Sequence, residues 1–283
     1  MRIATTVRGT PARRTVLVAL TATMMLGLIG LGGCQSNRPR DDRHWFARII
    51  PSSPTAGEAA RDAFNVYSAD RRREAVDQIA AAPYGGERAY LRMYRLLIDD
   101  PDAAVRASCA KALGLHGTGE DVTLIAPLLR DDHAFVRWEA AKALQRIHNP
   151  TAADALRSAL QADDDSDVRQ AAAAALGQYP STAVLHTLVG ALHDTEYSVT
   201  RAAHRSLQTL TGRDLGYEAA DWLAWIDREA SAELFADRDD YTFRPYLAPP
   251  SFIERMQFWR NHPTAADPRK PVGMQPEHDA ERG

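Results

Sequence analysis

Between residues 88 and 213 the apolar positions fall into short stretches that repeat in pairs. "AYLRMYRLLI", "DVTLIAPLLR", "TAADALRSAL" and "TAVLHTLVGAL" each place apolar residues at helical spacing. Each is followed by an acidic turn and then by a second stretch whose apolar face opens on a valine. These second stretches, with their turns, are "DDPDAAVRASCAKALGLHG", "DDHAFVRWEAAKALQRIHN", "DDDSDVRQAAAAALGQYP" and "DTEYSVTRAAHRSLQTLTG". The valines, Val105, Val136, Val168 and Val199, are 31, 32 and 31 residues apart. Counted from each valine, position +4 is Cys109, Ala140, Ala172 and Ala203, and position +7 is Ala112, Ala143, Ala175 and Ser206. Position +8 is Leu113, Leu144, Leu176 and Leu207. Those offsets share one face of an α-helix, so small residues let neighbouring helices approach while leucines fill the remaining space. Cys109, standing where the other copies have alanine, reads as a small buried hydrophobe.

Each unit is therefore predicted to be helix, turn, helix. None can bury its own apolar face alone, and stacked units form an α-solenoid. Asp102 and Asp165 stand three residues before their valines as N-caps, with His133 and Glu196 in the same place elsewhere. Pro127 predicts a kink or a late start in its helix. Before the array, "SADRRREAVDQIAAAPYGGERAY" reads as a degenerate half-unit with Arg72 in the valine place and Val76 and Ile79 at +4 and +7. After it, Trp222, Trp225, Ile226 and Leu234 predict a capping helix. Residues 241 to 260 mix aromatics with prolines, and two alternatives stand: they pack back on the array or on a partner. Residues 261–283 are polar and Pro-rich, and are expected to be disordered.

The Asp-rich turn, the Val-Arg pair and the Ala-Ala-x-Ala-Leu-Gly run resemble the HEAT repeat, in its short bacterial or bilin-lyase-like form, over about residues 65 to 213. The resemblance implies an all-α, right-handed α-solenoid of helix pairs with degenerate caps at both ends. It also implies a structural ladder between repeats from the turn aspartates Asp100, Asp131, Asp163 and Asp194 and the arginines Arg106, Arg137 and Arg169. The fourth repeat departs from it, with Thr200 before Arg201.

The amino terminus carries different information. Arg2, Arg8, Arg13 and Arg14 precede the apolar run "TVLVALTATMMLGLIGL", the layout of a secretory signal peptide. Leu31-Gly32-Gly33-Cys34 resembles the lipobox of bacterial lipoproteins, which implies lipidation of Cys34 and the membrane as a partner. An uncleaved anchor with Cys34 incidental is the alternative. An exported, lipid-anchored location in the cell envelope follows, and Gln35 rather than Asp after the cysteine favours an outer membrane facing the periplasm. The whole order resembles a group of HEAT-repeat lipoproteins from Planctomycetes for which no activity is carried over. The expected divisions are 1–33 signal peptide, 34–57 tether, 58–213 repeat array, 214–260 capping helix with the aromatic segment, and 261–283 tail.

Charge and cysteine usage narrow the function. The chain has 34 basic and 37 acidic residues. Loss of the four signal arginines leaves 30 against 37, net −7 with histidine neutral, which disfavours nucleic acid as a partner. Two cysteines support neither a disulfide framework nor a four-cysteine zinc site. No cofactor motif is present, the histidines do not recur at equivalent positions, and no metal site is expected.

In HEAT-like arrays the second helices line the concave surface, so their outward positions +2, +6 and +9 are the candidate partner face. They hold Trp138 and the cations Lys111, Lys142, Arg201 and Arg205, with no carboxylate. Trp138 is a hot-spot type of residue on such a face. The expectation is a membrane-anchored, non-catalytic scaffold that binds protein or peptide there. The alternative is an enzyme or enzyme subunit with an unrecognised site, since lyase-like HEAT proteins exist.

Overall fold

A computed structural model describes residues 55–230, 233–243 and 269–274. The expected signal peptide, Cys34 and residues 244–260 lie outside the described residues. The described elements are helical, with two isolated β-bridges and no sheet among them. Four helix pairs follow a first pair, α1 (Ala56–Asp62) and α2 (Ala69–Ala81). They are α3 (Arg88–Leu97) with α4 (Ala103–His116), and α5 (Val122–Ile125) with α6 (Ala134–Arg146). Then come α7 (Ala153–Ala162) with α8 (Ser166–Leu176), and α9 (Thr182–Gly190) with α10 (Tyr197–Thr211). Helix α11 (Ala219–Ile226) closes the series. The second helices α2, α4, α6, α8 and α10 pack each on the next in one layer, with the first helices packed against them.

Local chemistry sets the helix ends. Asp102 Oδ1 accepts from the N–H groups of Ala104 and Val105 at 2.9 and 3.2 Å, and Asp165 Oδ1 from Asp167 and Val168 at 2.9 and 3.3 Å. Both satisfy N–H groups that a helix start leaves without partners. His133 and Glu196 make no such side-chain cap. Pro127 has no N–H to give the carbonyl four residues back, and α5 accordingly passes after one turn into a 3-10 helix, Ala126–Arg130.

The periodic positions form the core. All four valines, all four +8 leucines and all four +4 residues, Cys109 included, are fully buried. Burial pushes the Cys109 thiol up, away from the reactive thiolate. Close approach is written into the glycine and alanine positions: a Cβ on Gly114 would come within 2.7 Å of Ala143 Cα, so α4 and α6 meet backbone to backbone. Ser206, at +7 in the last repeat, is buried and donates to Ala173 O at 2.8 Å.

At the other edge of the layer the turns are joined by one bonding scheme used four times. Arg106 donates through Nε and Nη2 to both oxygens of Asp131, at 2.7 and 2.9 Å, while Nη1 holds Asp100 O of its own turn at 2.8 Å. Arg137 does the same to Asp163 and to Asp131 O, and Arg169 to Asp194 and to Asp163 O. Each aspartate in addition accepts the N–H two residues on: Asp102 for Asp100, His133 for Asp131, Asp165 for Asp163, Glu196 for Asp194. In the last repeat, where arginine is missing, Thr200 Oγ1 takes the carbonyl contact to Asp194 O at 3.3 Å.

The fourth rung corrects the register of the first pair. Arg72 does not stand in the valine place. It is a ladder arginine, bidentate to Asp100 at 2.8 Å with Nη1 on Asn65 O, so α2 is one residue out of the expected frame. A second tie crosses the first helices: Arg95 grips Asp121 through Nε at 2.6 Å and Nη2 at 3.0 Å, and Asp121 also accepts from Thr118 N–H. At the carboxyl end Trp222, Trp225, Ile226 and Leu234 are buried, with Trp222 Nε1 donating to Gly216 O at 2.8 Å. Within the segment expected to be a disordered tail, Val272 exchanges backbone hydrogen bonds with Arg146 and His148 of the array, both at 2.8 Å.

Three outcomes follow for stability. Arg137→Met strands the carboxylate of Asp163, whose side chain is 5% exposed, and should cost about 3–5 kcal/mol in denaturant unfolding at neutral pH. Gly114→Ala should lower the unfolding midpoint by overpacking, about 1–3 kcal/mol, although helix propensity alone would add about 1 kcal/mol. The third concerns acid. The Arg169 hydrogen bond holds Asp194 below the ordinary carboxylate range against its burial. At Asp131 burial raises the pKa, but the Arg106 and His133 hydrogen bonds outweigh it and the net shift is downward. A carboxylate with a lower pKa folded than unfolded stabilises above about 3.9, and that contribution is lost as pH falls through the folded value. Unfolding free energy measured from pH 6 to pH 3 should therefore drop below about pH 4, and drop less in Arg169→Met.

Candidate functional site

The outward positions of the second helices do not form one continuous strip. Ala107, Gly114 and Gly177 are buried against neighbouring helices, which divides the expected face into two clusters. The first is centred on α6. The Trp138 ring, half-buried, stacks on Phe135 with centroids 6.4 Å apart and planes at 28°. Lys142 Nζ lies 3.9 Å from the Trp138 ring centroid, a cation–π contact. Phe135, Trp138 and Lys142 thus run down one edge of α6, with Phe135 54% exposed at its outer end.

Carboxylates belong to this cluster, contrary to the expected all-cationic strip. Glu139 at +3 is buried, and Asp77 of α2 lies 4.0 Å from Lys111 Nζ. Burial pushes the Glu139 carboxyl up, with Lys142, Lys111 and Arg146 pulling the other way. Burial likewise pushes the Lys142 amine and the Arg146 guanidinium down, each opposed by Glu139. Arg146 Nη1 is sealed from solvent with no hydrogen-bond partner among the described residues. Sequence reading overlooked Glu139 because the outward set skips +3. The signal was there, since the other repeats carry Ser108, Ala171 and Ala202 at that place.

The second cluster is on α10. Arg201 and Arg205 are exposed and make no ion pair among the described residues. Gln170 and Ala174 of α8 stand between the clusters. The ladder residues Asp100, Asp131, Asp163, Asp194, Arg106, Arg137 and Arg169 are engaged with one another at the turns and belong to neither cluster.

One further residue of this face escaped the sequence. Tyr241 is buried, donating from its hydroxyl to Ala174 O at 2.7 Å and accepting from Gln145 Nε2 at 3.1 Å. Of the two alternatives for the aromatic segment, its first residue packs on the array. The histidines are spread out: His116 Nε2 is 2.7 Å from Ala80 O, His148 stacks on Tyr179, and His204 is 3.0 Å from Asp214. No group of three or more His, Cys, Asp or Glu among the described residues could hold a metal ion.

The membrane as a partner and the lipid-anchored envelope location are corrected. Both require a cysteine open to acylation or a spanning helix. The described residues hold one cysteine, Cys109, which is sealed in the core, and no helix among them is long and apolar enough to cross a membrane. Cys34, on which both expectations rested, lies outside the described residues.

Known proteins share this architecture. The family described as HEAT repeats matches residues 93–177, 122–208 and 160–241, which together run over more than half of the chain. The uncharacterized phycocyanin operon protein Z of Pseudanabaena tenuis is 34% identical over 108 residues, covering 35% of this chain and 52% of that protein. The chain thus spans about half the length of that curated relative. Among solved structures, the complex of CpcE and CpcF of phycocyanin lyase from Nostoc sp. PCC7120 is similar, with 21% identity and a TM-score of 0.51, over 64% of this chain and 71% of that one. An engineered protein aligns with a TM-score of 0.43 and 21% identity, over 55% of this chain and 78% of that chain. A stacked helical array of this kind is suited to binding protein or peptide along a face. By its 31-residue period, its Val-Arg turns and this match, the chain belongs to the HEAT-repeat family.

Proposed function

We propose that the chain is a non-catalytic scaffold that binds a protein or peptide partner across its second helices, with Trp138, Lys111 and Lys142 at one contact and Arg201 and Arg205 at the other. The observation that carries this reading is the Phe135–Trp138–Lys142 stack. A large aromatic pair with a cation over one ring is held at the surface, with Phe135 54% exposed. Such an anchor supplies contact area at little cost in side-chain ordering. Arg201 and Arg205 add cations to which an acidic segment of the partner can pair, since both are exposed and neither makes an ion pair among the described residues.

A second reading, a subunit of an enzyme assembly, draws on the likeness to the CpcE and CpcF complex. In that reading the same face would dock a second subunit, and the chemistry would belong to the assembly.

Affinity capture with cross-linking from the native source, followed by binding measurements on the recovered protein, tests both. Trp138→Ala should weaken the complex by roughly 30-fold, the effect of removing a hot-spot residue worth about 2 kcal/mol. The pair Arg201→Glu and Arg205→Glu, both exposed, should weaken it about tenfold or more, with an ionic-strength dependence that the wild type shows and the variant loses. Equal recovery by all three chains would remove the reading. Catalytic turnover appearing only in the recovered complex would favour the enzyme-subunit alternative.

A further inference from the structure

The last four carbonyls of an α-helix have no partner within the helix. In α8 two of them are satisfied locally, Ala175 O by Gln178 N–H at 3.4 Å and Leu176 O by Tyr179 N–H at 3.0 Å, and Ala173 O is satisfied by Ser206 Oγ of the next repeat at 2.8 Å. Ala174 O takes its donor from beyond the repeats, the Tyr241 hydroxyl. The neighbouring second helices repeat the arrangement. Asp239 N–H donates to Thr209 O of α10 and Val272 N–H to Arg146 O of α6, both at 2.8 Å, and His148 N–H donates back to Val272 O. Phe243 and Arg269 exchange N–H···O bonds in both directions at 2.9 and 2.8 Å, which ties the two stretches into one strap.

The strap therefore lays donors on the carbonyl ends of three consecutive second helices, running from the fourth repeat back to the second. It reaches the Trp138 cluster. Gln145, which donates to Tyr241, is one turn beyond Lys142 on the same edge of α6. The Tyr241 ring fits because position +9 of α8 is glycine: a Cβ on Gly177 would lie 3.0 Å from Tyr241 Cε2. The place is thus a track of acceptors with a slot for one aromatic hydroxyl, filled by this chain's own extended segment.

We propose that the strap is a built-in occupant of the partner face. The partner is an extended protein segment that sets a tyrosine hydroxyl on Ala174 O and backbone N–H groups on Arg146 O and Thr209 O, and partner and strap exclude each other. The proposal rests on the reading of the Trp138 face as the partner surface. A tethered strap competes at the effective concentration of an intramolecular ligand, in the millimolar range. An outside segment gains access only by supplying contacts beyond those of the described strap residues, among them contacts at Trp138 and Arg201.

The test uses the full chain and, as probe, a fluorescent synthetic peptide of its own residues 233–274. The double variant Tyr241→Ala, Val272→Pro loosens the strap, and Tyr241→Phe removes only the hydroxyl and keeps the ring. The peptide should bind the double variant at least about tenfold more tightly than wild type, Tyr241→Phe falling between, since each lost hydrogen bond is worth about fivefold. The loosened chain should also capture the partner at least about tenfold more strongly than wild type. Equal peptide binding by wild type and both variants, or binding by none, overturns the proposal. So does unchanged partner capture by the loosened chains while the Arg201 and Arg205 reversals still abolish it, an outcome that leaves the partner reading intact. If the reversals leave capture unchanged, the partner reading and the proposal fall together.

Discussion

Each turn of the array is fixed by an arginine that reaches forward. Its fork takes both oxygens of the next repeat's aspartate while its remaining nitrogen holds the carbonyl of its own turn, so one side chain sets both the local turn and the spacing to its neighbour. The aspartate completes the link by holding the N–H two residues on, where the second helix begins. Charges with so little exposure are expensive unless well bonded, and here each ladder aspartate accepts three hydrogen bonds. Because the spacing is set at the turns, valine, small residue and leucine fall into register along the helices. Gly114 can then meet Ala143 without a gap. Where arginine gives way to Thr200 the relay ends, and a tryptophan-rich helix takes over the burial of the last face.

The ladder has a counterpart at the opposite ends of the same helices. Arginines and aspartates satisfy the amino-terminal turns, which leaves the carboxyl-terminal carbonyls to be satisfied by other means. The next repeat supplies some donors: His116 reaches Ala80 O, Gln178 reaches Leu144 O and Ser206 reaches Ala173 O. The strap supplies one more on each of three helices. Only the middle of each second helix remains free of backbone duties, and there the side chains differ most between repeats. Function on this fold is carried by that variation, not by the period.

The period was legible because it is local: a helical face of 11 to 15 residues repeats within a 31-residue unit, and both halves of the ladder sit at fixed offsets from the valines. What escaped had no such trace. Arg72 was misplaced by one residue because an apolar count was used where the arginine itself marks the register. Asp77 joined Lys111 only through the packing of α2 on α4, and Arg95 found Asp121 through the loop of the next repeat. Tyr241 meets Ala174 across 67 residues of sequence, a contact that no periodicity can announce. Glu139 lay outside the +2, +6 and +9 set, since a helical wheel treats +3 as a flank and burial of a carboxylate there depends on the cations around it.

Those cations explain why the face around Trp138 is polar at its centre and still ordered. Glu139 is tolerated in a buried place because Lys142, Lys111 and Arg146 surround it, and Lys142 is in turn steadied by the Trp138 ring. The arrangement leaves a residue of cost, since Arg146 Nη1 is sealed without a hydrogen-bond partner among the described residues. An unsatisfied buried donor is unfavourable by about 1–3 kcal/mol, and more when charged. That cost sits where the Trp138 edge of α6 meets the strap, whose Val272 holds the carbonyl of the same arginine. A segment that brings an acceptor to this point would gain a bond that no described residue makes, so Arg146 adds to the Trp138 edge a cost that the ladder holding the array together does not carry.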